Sequence, residues 1–122
     1  MPRTKVVAYR EDDGTVPLLD WFAALPPRAR AKCLVALERL RELGHQLRRP
    51  EADYLEQGIY ELRVRLQNVN YRMLYFFHGK APVVISHGLT KEQRVLPREV
   101  RRALARKRRF EQDPPGHTYE EV

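Results

Sequence analysis

Three apolar runs, residues 54–66, 70–77 and 82–89, follow one another with only short breaks, and they constrain the fold more than any other feature of the chain. In the first, Tyr60, Leu62, Val64 and Leu66 alternate with Glu61, Arg63 and Arg65. A period of two sends successive side chains to opposite faces, so the run reads as a strand with one buried face. In the second, Tyr71, Met73, Tyr75 and Phe77 alternate with Arg72, Leu74 and Phe76. The third, Val83-Val84-Ile85-Ser86-His87-Gly88-Leu89, opens on β-branched residues and closes on a small one. The breaks, Gln67-Asn68-Val69 and His78-Gly79-Lys80-Ala81, are hairpin-sized, which predicts an antiparallel meander.

The remaining segments fit around that sheet. Residues 4–10 read as a first strand, closed by the turn-formers Glu11-Asp12-Asp13-Gly14-Thr15. Pro17 suits the first turn of a short helix whose Leu18, Trp21, Phe22 and Leu25 recur at helical spacing, and Pro26-Pro27 ends it. A longer amphipathic helix over residues 28–43 buries Cys33, Leu37, Leu40 and Leu43, and Gly44 is placed to cap it. Residues 45–53 form a polar connection. A last helix over 97–110 starts on Pro97 and turns Val100, Ala103, Leu104 and Lys107 inward. This order predicts an α+β fold with its helices, a two-helix hairpin and a C-terminal helix, on one side of an antiparallel sheet. Residues 1–110 read as a single domain and 111–122 as an acidic C-terminal tail.

Composition removes several function classes. A length of 122 residues suits one core, and 43% apolar with 32% charged residues is a globular mixture. No apolar run approaches the roughly 20 residues needed to cross a bilayer, and the N-terminal residues lack an apolar signal core, so a cytoplasmic protein is expected, with no membrane partner. Cys33 is the single cysteine, leaving neither an internal disulfide nor a Cys-based zinc site. There is no His-x-x-x-His pair, carboxylate cluster, Gly-rich phosphate loop or Gly-x-Ser-x-Gly elbow, so neither metal nor cofactor is expected. The charge is more telling: 23 Lys and Arg against 16 Asp and Glu give a net charge of +7, which favours a polyanionic partner.

Three groups of residues carry candidate chemistry. Arg63 and Arg65 share one face of their strand, Arg72 lies on the next strand and Lys91 follows the last. Covered from the other side, these cations form one concave surface suited to gripping phosphates; otherwise they are scattered charges paired with Glu61. The last helix carries Arg98, Arg101, Arg102, Arg106, Lys107, Arg108 and Arg109 against the single Glu99, a density that a polyanion or an acidic protein would relieve. Of the histidines, His87 beside Ser86 is either a half-buried structural residue or a general acid or base, and His117 either reaches back from the tail or stays free.

Gly58-Ile59-Tyr60-Glu61-Leu62-Arg63, the run Tyr71-Arg72 to Phe77, His87-Gly88-Leu89-Thr90-Lys91, and Pro97 with Glu99 and Ala103 together resemble the HigB-like, phage-derived branch of the RelE/ParE toxin superfamily. The resemblance extends from about residue 25 to 109. It implies a RelE/ParE-like α+β toxin of a type II toxin–antitoxin system, neutralised by an antitoxin that is often a helix-turn-helix protein. It also implies an endoribonuclease that inhibits translation by cleaving mRNA, on the ribosome in many relatives. Cleavage proceeds without metal, by attack of a ribose 2′-hydroxyl on the adjacent phosphate.

Carried over by position, Arg63 would neutralise the scissile phosphate, Arg72 would contact the backbone, and Lys91 would stabilise charge or assist proton transfer. His87 completes the candidate catalytic set, and Glu61 would hold Arg63. Arg65, Arg94, Arg106 and Arg109 are the candidate RNA-binding residues. The chain departs from the branch at Glu92, where a second lysine is usual, at Leu89, where phenylalanine is usual, and at Val95-Leu96 before Pro97. Two other functions remain open: a ParE-like inhibitor of DNA gyrase without nuclease chemistry, and an RNA-binding module that has lost catalysis.

Overall fold

The computed structural model describes residues 3–90, 93–120 and 122. Among these, every α-helix begins on a proline, whose fixed φ suits a first turn and whose missing N–H has no partner there to lose. These helices are α1 (Pro17–Ala23), α2 (Pro27–Leu43) and α3 (Pro97–Gln112). Helix α1 follows a tight turn in which Gly14, at φ +89°, donates its N–H to the Glu11 carbonyl. The corner between α1 and α2 is tied by Arg30, whose Nε and Nη2 donate to the carbonyls of Phe22 and Leu25 at 3.0 and 3.2 Å. Phe22 lies in the last turn of α1 and Leu25 two residues beyond it, so Arg30 clamps the corner between the helices. Helix α2 stops at Gly44, at φ +50°, where any Cβ would collide with the Thr4 side chain.

The strands are β1 (Val6–Tyr9), β2 (Ala52–Glu56), β3 (Ile59–Leu66), β4 (Val69–Phe77), β5 (Val83–Thr90) and β6 (Thr118–Tyr119). They form one sheet in the order β2-β3-β4-β5-β1-β6. The antiparallel meander expected from the period-two runs is present as β3, β4 and β5. The run 54–66, read as one strand, is two strands separated by a turn at Gln57 and Gly58, with φ +50° and +85°. Positive φ at both central residues suits a two-residue hairpin turn whose twist matches the flanking strands. The turn at Gln67 and Asn68, at +50° and +67°, is built the same way.

Four further expectations are corrected. The sheet is mixed rather than antiparallel throughout, because β1 lies parallel to β5, pairing Val6 with Val83 and Ala8 with Ile85. The helices do not share one side. Helices α1 and α2 cover the face carrying Leu62, Met73, Tyr75 and Ile85, whereas α3 covers the opposite face, carrying Val7, Ile59, Leu74, Phe76 and Val84. A strand buried on both faces must be apolar at odd and even positions alike, which accounts for Leu74 and Phe76 alternating with other apolar residues. Residues beyond 110 do not form a plain acidic tail. After α3 they make a 3-10 turn at Pro115–His117, then strand β6, which pairs antiparallel with β1. His117 is buried there, stacked on Tyr9 with its Nδ1 2.9 Å from the Arg10 carbonyl oxygen. Lys107, expected to face inward, sits at the rim above the β2–β3 turn, its Nζ 3.4 Å from the Gln57 carbonyl.

Two local features set the geometry of β5. Gly88 lies under the Trp21 indole so closely that a Cβ would overlap the ring, and Trp21 Nε1 donates to Thr90 Oγ1 at 2.8 Å. The pairing with β4 also shifts, from Leu74 opposite His87 to Tyr75 opposite Ile85, leaving Ser86 as the extra residue of a bulge. The bulge breaks the alternation, so Ser86 and His87 both point towards α3.

No helix is long and apolar enough to cross a membrane among the described residues.

Candidate nucleic-acid interface

The strand register decides which cations meet. On the α3 side, Glu61 of β3 stands opposite Leu74, which stands opposite His87; in the next row, Arg63 stands opposite Arg72, and Arg72 opposite Leu89. Helix α3 covers the sheet from its Glu99 and Val100 end onward. Arg63 and Arg65 therefore lie on a stretch of β3 that the helix leaves open. They line, with Pro50, Asn70 and Arg72, an open cleft of 430 Å³.

Two like charges facing each other across a ladder repel unless an anion lies between them. Glu61 supplies it. Its carboxylate, 4% exposed, accepts from Arg63 Nε at 2.5 Å and lies 3.8 Å from Arg72 Nε. The two arginines then diverge in role. Arg72 is 11% exposed and donates through Nη2 to the Gln93 carbonyl at 2.6 Å, tying the segment after β5 to the sheet. Arg63 is 41% exposed, with its Nη2 3.2 Å from Asp53 Oδ2, and it offers the remainder of its guanidinium to the cleft. Arg49 Nη2 reaches the same Asp53 oxygen at 3.0 Å. The Arg49 guanidinium bonded to Asp53 holds that carboxyl below the usual carboxylate range, with Arg63 adding to the effect. Arg65 is exposed and donates to Asn68 Oδ1 at 3.2 Å.

Beneath α3 lies a separate, buried network. His87 Nε2 is 3.0 Å from Glu99 Oε1 and its Nδ1 is 2.7 Å from Ser86 Oγ, with the histidine 5% exposed. Burial pushes His87 down to about 4, with the nearby Arg106 guanidinium acting in the same direction and Glu99 opposing. A neutral imidazole has one donor and one acceptor. Nε2–H then donates to the Glu99 carboxylate, Nδ1 accepts from the Ser86 hydroxyl, and Arg106 Nη1 donates to Ser86 Oγ at 3.4 Å. Arg102 Nη1 completes the chain at 3.3 Å from Glu99 Oε1.

The structure thus brings together some of the expected residues and separates others. Arg63, Arg65 and Arg72 share the open face, and the exposed Arg94 follows Gln93, which Arg72 anchors. His87 belongs to the buried network and does not face the cleft. Arg106 and Arg109 sit towards the other end of α3, where both meet Glu11, at 3.0 and 3.8 Å; Arg106 also lies over the Tyr9 ring. Lys91 lies outside the described residues, as does Glu92. Asp53, Arg49 and Gln93 were missed by sequence reading, because a polar connection carries no period. The signal for the buried network was a lone Glu99 among arginines. Among the described residues no group of three or more His, Cys, Asp or Glu is placed to hold a metal ion.

A small α+β protein whose sheet keeps one arginine-bearing stretch uncovered beside α3 is what the fold and this site define. The family model described as Phage derived protein Gp49-like (DUF891) matches residues 20–109, from α1 through most of α3, and the chain belongs to that family. No curated protein matches the chain significantly.

Proposed function

We propose that the chain is the toxin of a bacterial type II toxin–antitoxin pair, acting in the cytoplasm as an mRNA-cleaving endoribonuclease. The Gp49-like family is a RelE-like toxin family, which supports the toxin reading. The observation that carries the nuclease reading is the Arg63–Glu61–Arg72 arrangement on the open face beside Arg65. A buried carboxylate fixes two guanidinium groups at opposed positions, and preorganised cations of this kind stabilise the charge that gathers on a phosphate in its transition state.

In the reaction a ribose 2′-oxygen bonds to the adjacent phosphorus as the 5′-oxygen of the next nucleotide leaves. The products are a 2′,3′-cyclic phosphate and a free 5′-hydroxyl; one proton leaves the 2′-hydroxyl and one reaches the leaving oxygen. Arg63 neutralises a non-bridging oxygen and Arg72 holds the segment after β5. Lys91 stabilises charge or moves a proton, while His87 braces the sheet under α3 rather than exchanging a proton with substrate. The partner we propose is a helix-turn-helix antitoxin, seated on the outward arginines of α3, Arg98, Arg101, Arg102 and Arg108.

The test is induction in a bacterium with mapping of transcript 5′ ends, comparing wild type with an Arg63→Ala/Lys91→Ala double variant. New 5′ ends inside coding regions, lost in the variant, are expected. Arrested growth with intact transcripts would move the assignment to DNA gyrase or another protein target. The placement of His87 inside the molecule favours one second reading, an RNA-binding module without catalysis. That reading predicts RNA binding with no new 5′ ends.

A further inference from the structure

At the β2 edge of the sheet, on the side of the α1–α2 hairpin, lies a second cleft, lined by Leu47, Arg48, Arg49, Asp53, Tyr54 and Tyr60. Tyr54 is 53% exposed, the only aromatic among the large hydrophobic side chains left exposed in the described residues. Its ring is not loose. It stands edge-on to Tyr60 with centroids 5.1 Å apart, Tyr60 stacks on Tyr75 at 5.3 Å, and the Tyr54 hydroxyl accepts the Gly58 N–H at 3.0 Å. Tyr54 is thus the exposed end of an aromatic series rooted in the core. A ring already held in place loses little freedom when something stacks on it.

The charge beside it is positive. Arg48 donates to the His45 carbonyl at 2.8 Å, and Arg49, 75% exposed, shares Asp53 with Arg63. Asp53 lines this cleft, and Arg63 lines the open cleft described above, so the two clefts are joined across the sheet edge by one Arg49–Asp53–Arg63 link. Along β3, Tyr60 and Arg63 are three residues apart, about 10 Å at strand spacing. An aromatic face next to guanidinium groups is the combination that binds unpaired nucleotides, because every base has a π-face and every link a phosphate.

Resting on the nuclease reading, we infer that Tyr54 and Arg49 form a base-stacking subsite for single-stranded RNA. A nucleotide flanking the scissile phosphate stacks on Tyr54, and the strand crosses the β2 edge with Arg49 on its backbone. Such a subsite tolerates any base and requires the flanking nucleotide to be unpaired.

The experiment is fluorescence anisotropy with a single-stranded oligonucleotide carrying 2′-O-methyl ribose throughout, which lacks the attacking hydroxyl. Tyr54→Leu is expected to weaken binding roughly tenfold, with Tyr54→Phe within about twofold of wild type because it keeps the ring. A 5-iodouridine version of the oligonucleotide, irradiated on the wild-type protein, is expected to cross-link at Tyr54. If Tyr54→Leu binds as wild type does while Arg63→Ala binds poorly, the subsite is refuted and the nuclease reading stands. If wild type itself does not bind the oligonucleotide, the subsite is refuted, and the nuclease reading is decided by the transcript mapping above. If Tyr54→Leu spares RNA but weakens antitoxin binding, this edge is a protein-docking surface and the inference fails.

Discussion

Glu61 is the residue on which the cation face depends. Buried between Arg63 and Arg72, it is a carboxylate whose removal leaves two like charges facing each other across the ladder. Breaking a buried pair from one side costs more than the pair contributes, because Arg72, 11% exposed, keeps its desolvation penalty with no carboxylate beside it. Glu61→Ala is expected to lower stability by about 3 kcal/mol, measured by chemical denaturation, while Glu61→Gln, which keeps acceptor capacity, costs about half as much. The Glu-Leu-Arg element shows Glu61 and Arg63 on one face from sequence alone. Sequence cannot show that Arg72 comes from the opposite strand to meet the same carboxylate, since register is a tertiary property.

His87 supplies a second residue-scale prediction. Its folded-state value is depressed to about 4 from the ordinary 6.5, so the unfolded chain takes up its proton first as pH falls. Its stabilising contribution is complete above pH 6.5 and is lost as pH falls towards about 4. Melting temperature is expected to fall across that window in wild type and to fall less in His87→Gln. A His87 facing solvent would leave the two curves parallel.

At the scale of elements, the contact between α1 and β5 is the tightest constraint. The Trp21 ring occupies the space that a side chain at position 88 would need. Gly88→Ala should push the indole off β5, break its bond to Thr90, and cost about 3 kcal/mol. Trp21 is the only tryptophan, so a red-shifted emission maximum reports the displacement directly. The elements themselves were largely legible: Pro17 and Pro97 mark helix starts, Pro26-Pro27 marks a helix end, and alternation marks the meander. What alternation hid was the second covered face. Leu74 and Phe76 were visible as apolar residues at positions that a one-faced sheet would leave polar, and they are the reason α3 packs opposite the hairpin. The β5 bulge left no trace in composition, and with it went the placement of His87.

For the whole molecule, the net charge of +7 is unevenly available. Arg106 and Arg109 are engaged with Glu11, whereas Arg63 and Arg65 face the open cleft. Each phosphate contact on a single strand contributes about 0.7 to the salt dependence of binding. Arg63→Ala should therefore reduce the slope of log affinity against log salt by about 0.7, and Arg106→Ala should leave that slope unchanged. Equal changes from both would place the RNA along α3 instead. Net charge was readable at once from the sequence; which charges are already spoken for depends on Glu11 meeting Arg106 and Arg109 from far along the chain, and on Glu61 meeting Arg72 across the ladder.

The position of β1 between β5 and β6 also gives the protein a history in time. Val6 pairs with Val83, and Ala8 on its other side pairs with Tyr119. During synthesis this strand emerges before its partners and waits with both edges unpaired until residues 83–85 have followed, and with one edge unpaired until residues 118–119 have. Contacts so distant in sequence make folding slow, and they leave an apolar segment open to other chains in the interval. A nascent copy thus passes through a stage in which α1 and α2 can form while the sheet that arranges the arginines is still missing.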